Sequence, residues 1–333
     1  MYQNVIFKSI GTYHPATKKS NSFYVNHFNS MGIDVSGLVE HLGRNTRCIA
    51  DTKHENAVTM AYQASLKALQ SANVSPEEID IIIFGTDSPE KLVPSNAILL
   101  HDKLHTVNAH QIFDLNSNCI GMLTAIDVGS RLLTNNTRLS KALIVGSFMG
   151  NFISSKTDPV CYSNMADAAA AIILERVEEP YKRGFIDSNF KTDTVVKNKF
   201  QYPACGFSSL YEEGIDNEDK KLKLDPFDTS FVPGEWIRLM QVLFDRYSIT
   251  KDDISQYFFS QFSKPDAEAT LNLLSLDNDK HTYIGNIYGY TGLTSPILAY
   301  NEALSTKTID TGDYLMFCSV GAGYNMCALL YRQ

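Results

Sequence analysis

Cys119 is the residue of this chain whose type and surroundings point most directly to chemistry. A β-type apolar run, Gln111–Leu115, precedes it, and Asn116-Ser117-Asn118 supplies polar residues suited to capping a helix. After Cys119, apolar residues recur with helical spacing. The pattern therefore predicts a thiol at the N-terminus of a helix.

At such a position the helix dipole and the free backbone amides favour the thiolate over the thiol. A thiolate can attack a thioester carbonyl and carry the acyl group covalently. The alternative interpretation of Cys119 is a small buried hydrophobic residue, because most free cysteines have that role.

A glycine-rich turn near the end of the chain is the second candidate element. Ser319-Val320-Gly321-Ala322-Gly323-Tyr324 follows a buried apolar run, and a turn of this kind exposes backbone N–H groups that can stabilise an oxyanion. The alternative interpretation is a tight turn between two strands. No P-loop, GxSxG or HExxH pattern occurs, and no cysteine–histidine cluster has metal-site spacing. We therefore expect no bound metal.

Two segments half a chain apart repeat one pattern. Ser75-Pro76-Glu77-Glu78-Ile79 and Thr250-Lys251-Asp252-Asp253-Ile254 each follow an amphipathic stretch and precede a short apolar run. At the same offset, Ala142–Gly146 matches Phe317–Gly321, and a glycine closes each run. Two matches at one offset favour a duplication. We predict two pseudo-repeated α/β halves, residues 1–175 and 176–333.

Short apolar runs that alternate with helical periodicity predict crossover-connected sheets with helices on both faces. The expected strands are Val5–Ile10, Ile79–Gly85, Gln111–Leu115, Ala142–Gly146 and Ala168–Leu174 in the first half, and Gln256–Phe259, Leu315–Val320 and Met326–Tyr331 in the second. Residues from about 176 to 233 are polar, and we interpret them as an irregular covering insertion.

The bulk composition argues against several classes of protein. The net charge is −8, which disfavours a nucleic-acid partner because such a partner requires a basic face. No stretch approaches the roughly 20 uninterrupted apolar residues of a membrane helix, and the N-terminus lacks the layout of a signal peptide. Six cysteines without paired spacing are typical of reduced thiols. We predict a cytoplasmic protein.

The segment Phe113–Gly121, which contains Cys119, resembles the nucleophile segment of the β-ketoacyl-ACP synthase III family, the initiating condensing enzymes. Gly43–Ala50, Asp167 and Gly321–Arg332 fall in order where that family has its landmarks. The resemblance implies the thiolase fold with a layered α-β-α-β-α core, and an acyl thioester carried on Cys119.

The same resemblance implies an oxyanion hole formed by the amide of Cys119 and the turn Gly321, Ala322 and Gly323, with Ala322 the nearest match. It implies a thioester of an acyl carrier protein or of coenzyme A as substrate, no other cofactor, and a homodimer or a heterodimer with a homologous condensing enzyme.

Three further residues are candidates for binding the substrate. Lys264 stands beside the position where the family places a basic residue for carrier-protein docking. Phe262 and Tyr324 are candidates to line an acyl channel, and the alternative for both is an ordinary buried aromatic residue.

Two positions depart from the family pattern. Where the family has a histidine followed by glutamine, this chain has Ser260-Gln261, and Tyr290 stands where the family has an asparagine. In the family those side chains donate hydrogen bonds to the thioester oxygen while a malonyl unit loses carbon dioxide. Losing such a donor costs on the order of 3–4 kcal/mol. Ser260 is too short to reach as an imidazole does, whereas Tyr290 can donate from a different distance. His281, the nearest histidine, is interpreted as a turn residue.

Three functions remain open from the sequence. The first is an acyltransferase that moves an acyl group through Cys119 to an acceptor without decarboxylation. The second is a catalytically degenerate subunit that pairs with an active condensing enzyme. The third is a decarboxylative 3-oxoacyl synthase that uses Tyr290 and water in place of the usual pair. The presence of Cys119 argues against the second function, and the two departures argue for it.

Overall fold

The computed structural model describes residues 1–333, and the first half of the chain is organised around one mixed sheet. Its elements are β1 (Tyr2–Tyr13), β2 (Lys18–Ser20), α1 (Asn21–Asn29), α2 (Ser36–His41), β3 (Thr46–Cys48), α3 (Ala57–Ala72), β4 (Ile81–Gly85), α4 (Asn96–Leu104), β5 (Gln111–Leu115), α5 (Gly121–Asn135), β6 (Lys141–Met149), α6 (Gly150–Ile153), α7 (Pro159–Asn164) and β7 (Asp167–Glu179). The sheet has the order β1-β7-β6-β4-β5, and β2 pairs with β3 separately.

The second half is organised around a four-stranded sheet of order β11-β12-β13-β8. Its elements are β8 (Gly184–Val196), β9 (Phe200–Gln201), β10 (Lys223–Leu224), α8 (Val232–Tyr247), β11 (Ile254–Phe259), α9 (Lys264–Leu273), α10 (Gly285–Tyr288), α11 (Ser295–Thr306), β12 (Tyr314–Gly321) and β13 (Gly323–Arg332). Strands β9 and β10 form a small separate sheet in the segment between β8 and α8.

Four strands of the first sheet repeat the strand order and the pairing directions of the second sheet, and β5 is an additional edge strand of the first. In each half the first strand, β1 or β8, pairs antiparallel with the last strand, β7 or β13. The last strand also pairs antiparallel with β6 or β12. Strand β6 or β12 in turn pairs parallel with the strand that follows the repeated turn, β4 or β11. Both turns are closed by reciprocal capping: the Ser75 N–H donates to Glu78 Oε1 at 3.0 Å, and the Thr250 N–H donates to Asp253 Oδ2 at 2.7 Å.

The elements stack as five layers. Helices α5 and α11 lie in the middle because they contact both sheets, while α3 and α4 cover the outer face of the first sheet and α8 that of the second. Successive side chains of β4 point to opposite faces of the first sheet. Ile81 and Ile83 pack against the middle helical layer, and Ile82 and Phe84 pack against the outer one. Each fully buried side chain of this size contributes about 1.5–3 kcal/mol relative to exposure. The predicted α-β-α-β-α architecture is confirmed.

The interpretation of residues 176–233 as irregular is wrong for Gly184–Val196, which forms β8 and pairs with β13. This strand lies at the edge of its sheet and carries polar residues, so it lacks the apolar run that marked the other strands. One of these residues, Asp187, accepts hydrogen bonds from Arg131 Nη2 at 3.1 Å and from Arg246. Arginines that are distant in sequence therefore supply hydrogen-bond partners for this polar strand. The predicted strands otherwise lie within observed ones, except that β4 begins two residues later than predicted.

Candidate active site

Cys119 lies in a single 3-10 turn, Asn118–Ile120, which connects β5 to the N-terminus of α5. The thiol therefore stands where a strand passes into a helix, as the change of sequence period predicted. The polar residues before it do not cap α5. They shape the turn instead: Asn118 has a φ of 53°, a left-handed conformation that asparagine tolerates, and its N–H donates to Asn116 Oδ1 at 3.0 Å.

An apolar cavity of about 70 Å³ opens at Cys119, and 13 of its 20 lining residues are hydrophobic. Its walls come from the turn before α5, the ends of β11 and α10, the turn between β12 and β13, and the segment that leads from β8 into α8. The sequence-predicted residues that line it are Cys119, Ser260, Phe262, Tyr290, Gly321, Ala322, Gly323 and Tyr324. The fold thus brings together residues up to about two hundred positions apart.

Tyr290 supplies a polar hydroxyl group to the same cavity as the thiol of Cys119. Its side chain is 1% exposed, and its backbone is held on both sides, because its N–H donates to Asn164 O at 3.0 Å and its carbonyl accepts from the Ala166 N–H at 2.8 Å. Its hydroxyl is close enough to the thiol of Cys119 to lower the pKa of that thiol, and it lies 3.3 Å from Ser260 Oγ. Burial raises the pKa of Tyr290 well above its ordinary value. The hydroxyl therefore stays protonated and is available as a hydrogen-bond donor.

The thiol of Cys119 is 6% exposed. Burial, with a smaller contribution from the Asp87 carboxylate, raises its pKa to about 12, and the contact with Tyr290 offsets only part of that rise. The expectation that the helix N-terminus holds a thiolate is therefore wrong for the free protein. Desolvation of the anion outweighs the local backbone. A reaction at this sulfur must remove its proton during the attack.

Two hydrogen bonds join the glycine-rich turn to the segment that contains Cys119. The Ala322 N–H donates to Asn118 Oδ1 at 2.8 Å, and Ser319 Oγ donates to the carbonyl of Cys119 at 2.8 Å. The expectation that the Ala322 amide serves as a free oxyanion donor is wrong in this conformation, because the side chain of Asn118 already accepts its hydrogen. Gly321 and Gly323 line the cavity with Ala322.

The candidate substrate-binding residues separate into two places. Phe262 packs edge-on against Tyr290 with ring centroids 5.2 Å apart, and Tyr324 stacks on Phe231 at 4.4 Å, so both aromatic rings form cavity wall. Lys264 is not part of that wall. It begins α9 and lines a separate polar hollow that also contains the buried Arg44.

Sequence reasoning missed one ionisable group near the thiol, the carboxyl of Asp87, which lies in the loop after β4. Its Oδ2 accepts from Asn118 Nδ2 at 2.7 Å, and burial raises its pKa to about 6. A signal was available: β4 runs parallel to β5 and β6, and polar residues just beyond the carboxyl ends of parallel strands commonly face a binding site.

The structure places His281 away from the reactive sulfur. It is 8% exposed, its Nδ1 lies 3.2 Å from the carbonyl oxygen of Tyr257, and burial lowers its pKa to about 4. It is not among the residues that line the cavity. No group of three or more His, Cys, Asp or Glu side chains is arranged to hold a metal ion. None of the helices combines the length and the apolar character needed to cross a membrane.

The overall architecture matches solved condensing-enzyme structures. The crystal structure of 3-oxoacyl-[acyl-carrier-protein] synthase III from Aquifex aeolicus superposes with a TM-score of 0.86 at 20% identity and covers all of both chains. The fold is thus the thiolase fold of those enzymes.

Sequence comparison identifies the family. The family model for 3-oxoacyl-[acyl-carrier-protein] synthase III matches residues 113–194, and the model for the C-terminal part of that protein matches residues 244–333. The β-ketoacyl-[acyl-carrier-protein] synthase III of Aliarcobacter butzleri is 26% identical over 98% of this chain and 97% of its own length, and that of Caldanaerobacter subterraneus is 28% identical over 86% of each. The chain belongs to the 3-oxoacyl-[acyl-carrier-protein] synthase III family.

Proposed function

We propose that this protein is an acyltransferase in which Cys119 takes an acyl group from a coenzyme A or carrier-protein thioester and passes it to an acceptor without decarboxylation. The observation that carries the proposal is the sulfur of Cys119 in an apolar cavity beside the hydroxyl of Tyr290. A thiol nucleophile, apolar space for an acyl chain and a neutral proton donor are the components that acyl exchange on a cysteine needs. Membership of the synthase III family supports the same chemistry.

In the first half-reaction, Cys119 Sγ forms a bond to the thioester carbonyl carbon and gives up its proton. The carbon–sulfur bond to the carrier thiol then breaks, and that thiol leaves protonated. Negative charge develops on the carbonyl oxygen, and the Tyr290 hydroxyl is the donor available to meet it. A donor that acts at this point contributes on the order of 3–4 kcal/mol. In the second half-reaction the acceptor forms a bond to the acyl carbon and gives up its proton, the carbon–sulfur bond to Cys119 breaks, and the Cys119 thiol is restored with a proton.

The arrangement of donors supports transfer rather than decarboxylation. By the family resemblance, decarboxylation uses an imidazole and an amide that both donate to one enolate oxygen, and Ser260 and Tyr290 stand at those positions. The Ser260 and Tyr290 oxygens lie 3.3 Å apart, so one hydroxyl can donate to the other instead of to the substrate. A single remaining donor suits a tetrahedral intermediate of acyl transfer.

The proposed partners are an acyl carrier protein or coenzyme A, with no other cofactor. Lys264, whose ammonium group lies 3.2 Å from Glu268, borders a polar hollow together with the fully buried guanidinium of Arg44. Cationic groups of this kind attract the phosphates of a phosphopantetheine carrier. A homodimer, or a heterodimer with a homologous condensing enzyme, is the proposed assembly.

Intact-mass analysis tests the proposal. The purified protein is incubated with a series of acyl-coenzyme A and acyl-carrier-protein thioesters, and the wild type is compared with Cys119→Ala and Cys205→Ala. Cys205 is the partly exposed cysteine, so its variant controls for adventitious labelling. We expect one acyl group on the wild type and on Cys205→Ala, and none on Cys119→Ala. Labelling that persists in Cys119→Ala contradicts the proposal.

Two observations favour a second candidate, a catalytically degenerate subunit of a larger condensing enzyme. The Cys119 thiol is held protonated, and the Ala322 amide is already bonded to Asn118. For this candidate we expect no labelling by any donor, and co-purification with a homologous subunit.

The names of the relatives favour a third candidate, a decarboxylative synthase. Once Cys119 carries an acyl group, malonyl-carrier protein is added and the products are analysed. A 3-oxoacyl product together with released carbon dioxide supports the synthase, whereas an unchanged malonyl group supports the transferase.

A further inference from the structure

Behind Asn118, a second cavity of about 170 Å³ adjoins the cavity of Cys119. We call it the side cavity; Asp87, Asn116, Asn118 and Tyr202 supply its polar lining. Asn118 and Phe200 also line the main cavity, so these two residues form the wall that the two spaces share. A water molecule needs about 10–15 Å³ and two or more polar partners. The side cavity satisfies both conditions.

Asp87 presents one paired and one free oxygen. Its Oδ2 accepts from Asn118 Nδ2 at 2.7 Å, whereas its Oδ1 is buried and has no hydrogen-bond partner in the protein. The loop that carries it is held in place, because the Met149 N–H donates to Ser88 Oγ at 2.9 Å and the Ser88 N–H donates to Thr86 Oγ1 at 3.1 Å. A buried carboxylate oxygen without a partner is costly, and it is therefore a candidate for a functional role.

No positive charge neutralises this carboxylate. The ionisable groups that face it are Cys119 on the turn before α5, Tyr290 after α10, and Tyr202 after β9. Neither a lysine nor an arginine nor a histidine lines the side cavity. Burial raises the pKa of Asp87 to about 6, so the group is mostly ionised at neutral pH and still basic enough to accept a proton.

We propose that Asp87 is the proton acceptor of this site: its free oxygen Oδ1, acting through water that links the two cavities past Asn118, takes the proton that Cys119 loses as its sulfur attacks a thioester. The inference rests on the proposed acyl transfer through Cys119.

The proton and electron changes of the step balance. The S–H bond of Cys119 breaks and a carbon–sulfur bond to the thioester carbonyl forms. The proton passes through the water to the Asp87 carboxylate, which becomes a carboxylic acid. When the tetrahedral intermediate collapses, the bond to the carrier thiol breaks, and the proton returns through water to that leaving thiolate. Asp87 is then ionised again for the second half-reaction.

The other polar groups near the sulfur cannot take this role. Tyr290 remains protonated because burial raises its pKa, and Ser260 is a hydroxyl group that shares a contact with it. His281 is not a lining residue of either cavity. Asp266 also lines the main cavity, at the start of α9, but Asp87 is the carboxylate whose charge acts on the thiol of Cys119. Asp87 is therefore the base that we assign to the reactive centre.

The test compares wild type with Asp87→Asn and Glu90→Gln. Asparagine at position 87 retains an oxygen that can accept from Asn118 but cannot take a proton. Glu90 is exposed in the same loop, so Glu90→Gln is a matched control for the loss of one acidic group. The rate of Cys119 acylation by a short acyl-coenzyme A is measured from pH 5 to 9 by single-turnover intact mass.

We expect the wild-type rate to rise through about pH 6 and then level. Asp87→Asn should lose this rise and react roughly 100-fold more slowly at pH 7.5, the scale of a general base. Glu90→Gln should follow the wild type. An Asp87→Asn variant with the wild-type rate and pH profile overturns the inference and leaves the proposed acyl transfer intact.

Alkylation of Cys119 by iodoacetamide tests the role of Asp87 separately from the proposed acyl transfer, because it needs no thioester substrate. If no thioester labels the wild type, the proposed function fails, and the alkylation rate still tests Asp87. The wild-type alkylation rate should rise through about pH 6, and Asp87→Asn should lack that rise. Equal profiles in this assay overturn the inference. A circular dichroism spectrum of each variant verifies that it is folded.

Discussion

Replacing Asp87 by asparagine should stabilise the protein at neutral pH and leave its stability nearly unchanged below pH 4. Burial raises the pKa of this carboxyl from 3.8 to about 6. Between these two values the folded protein binds a proton that the unfolded chain has lost. The free energy of unfolding therefore falls as the pH rises through this window, and the loss is complete above the folded pKa.

The size of the effect follows from the same difference in pKa. About two pH units, at 1.36 kcal/mol each, correspond to about 3 kcal/mol. Asparagine cannot ionise and can still accept from Asn118, so Asp87→Asn avoids this cost. The difference in unfolding free energy between variant and wild type should be close to zero at pH 4 and about 3 kcal/mol at pH 7.

Urea unfolding at pH 4, 5, 6, 7 and 8 measures this difference, and circular dichroism reports the transition. Glu90→Gln is the control, because Glu90 is exposed in the same loop; its unfolding free energy should stay within about 0.5 kcal/mol of the wild type at each pH. A gain for Asp87→Asn that is the same at all pH values, or a loss that grows with pH, would refute the reasoning. The first result would mean that folding does not shift the pKa of the carboxyl, and the second would mean that the carboxylate has a stabilising partner.

Three further changes probe the rest of the site. Tyr290→Phe removes the proposed donor to the carbonyl oxygen and should slow acylation of Cys119 about 100-fold in single-turnover intact mass; a rate unchanged within twofold would contradict that role. Gly321→Ala places a Cβ 2.3 Å from Asn325 Oδ1 and should cost about 1–3 kcal/mol in urea unfolding, whereas Gly234→Ala, in α8 with open space around it, should cost nothing. Lys264→Glu should raise KM for acyl-carrier protein up to about fivefold with kcat unchanged, and a lower kcat would count against a docking role.

The presence of an ionisable group at Asp87 is itself informative. An ionised carboxyl in a buried site with no cation beside it lowers stability, and neutral replacements of similar shape exist. Groups with strongly perturbed pKa values in a cleft are frequent at functional sites. Stability lost at such a residue is commonly associated with activity, which agrees with a role in proton transfer next to Cys119.

Local features of the chain were predictable where short-range interactions determine them. The repeated turns need only a serine or threonine and an acidic residue three positions later, and Ser75 and Thr250 form their capping boxes as that spacing requires. The position of Cys119 between β5 and α5 followed from the change of hydrophobic period. Strand β8 was missed because its polar residue Asp187 depends on Arg131 and Arg246, and such distant partners leave no periodic signal.

Hydrophobic period and turn chemistry are local properties, and they are enough to predict a two-sheet α/β architecture with a cysteine at the start of a helix. The electrostatics of that cysteine depend instead on the folded surroundings. Burial among residues from both halves keeps the thiol protonated, and the side chain of Asn118 crosses to the amide of Ala322. The same fold places Asp87 beside the site. Desolvation depends on everything packed around a group, and that environment exists only when the whole chain is folded.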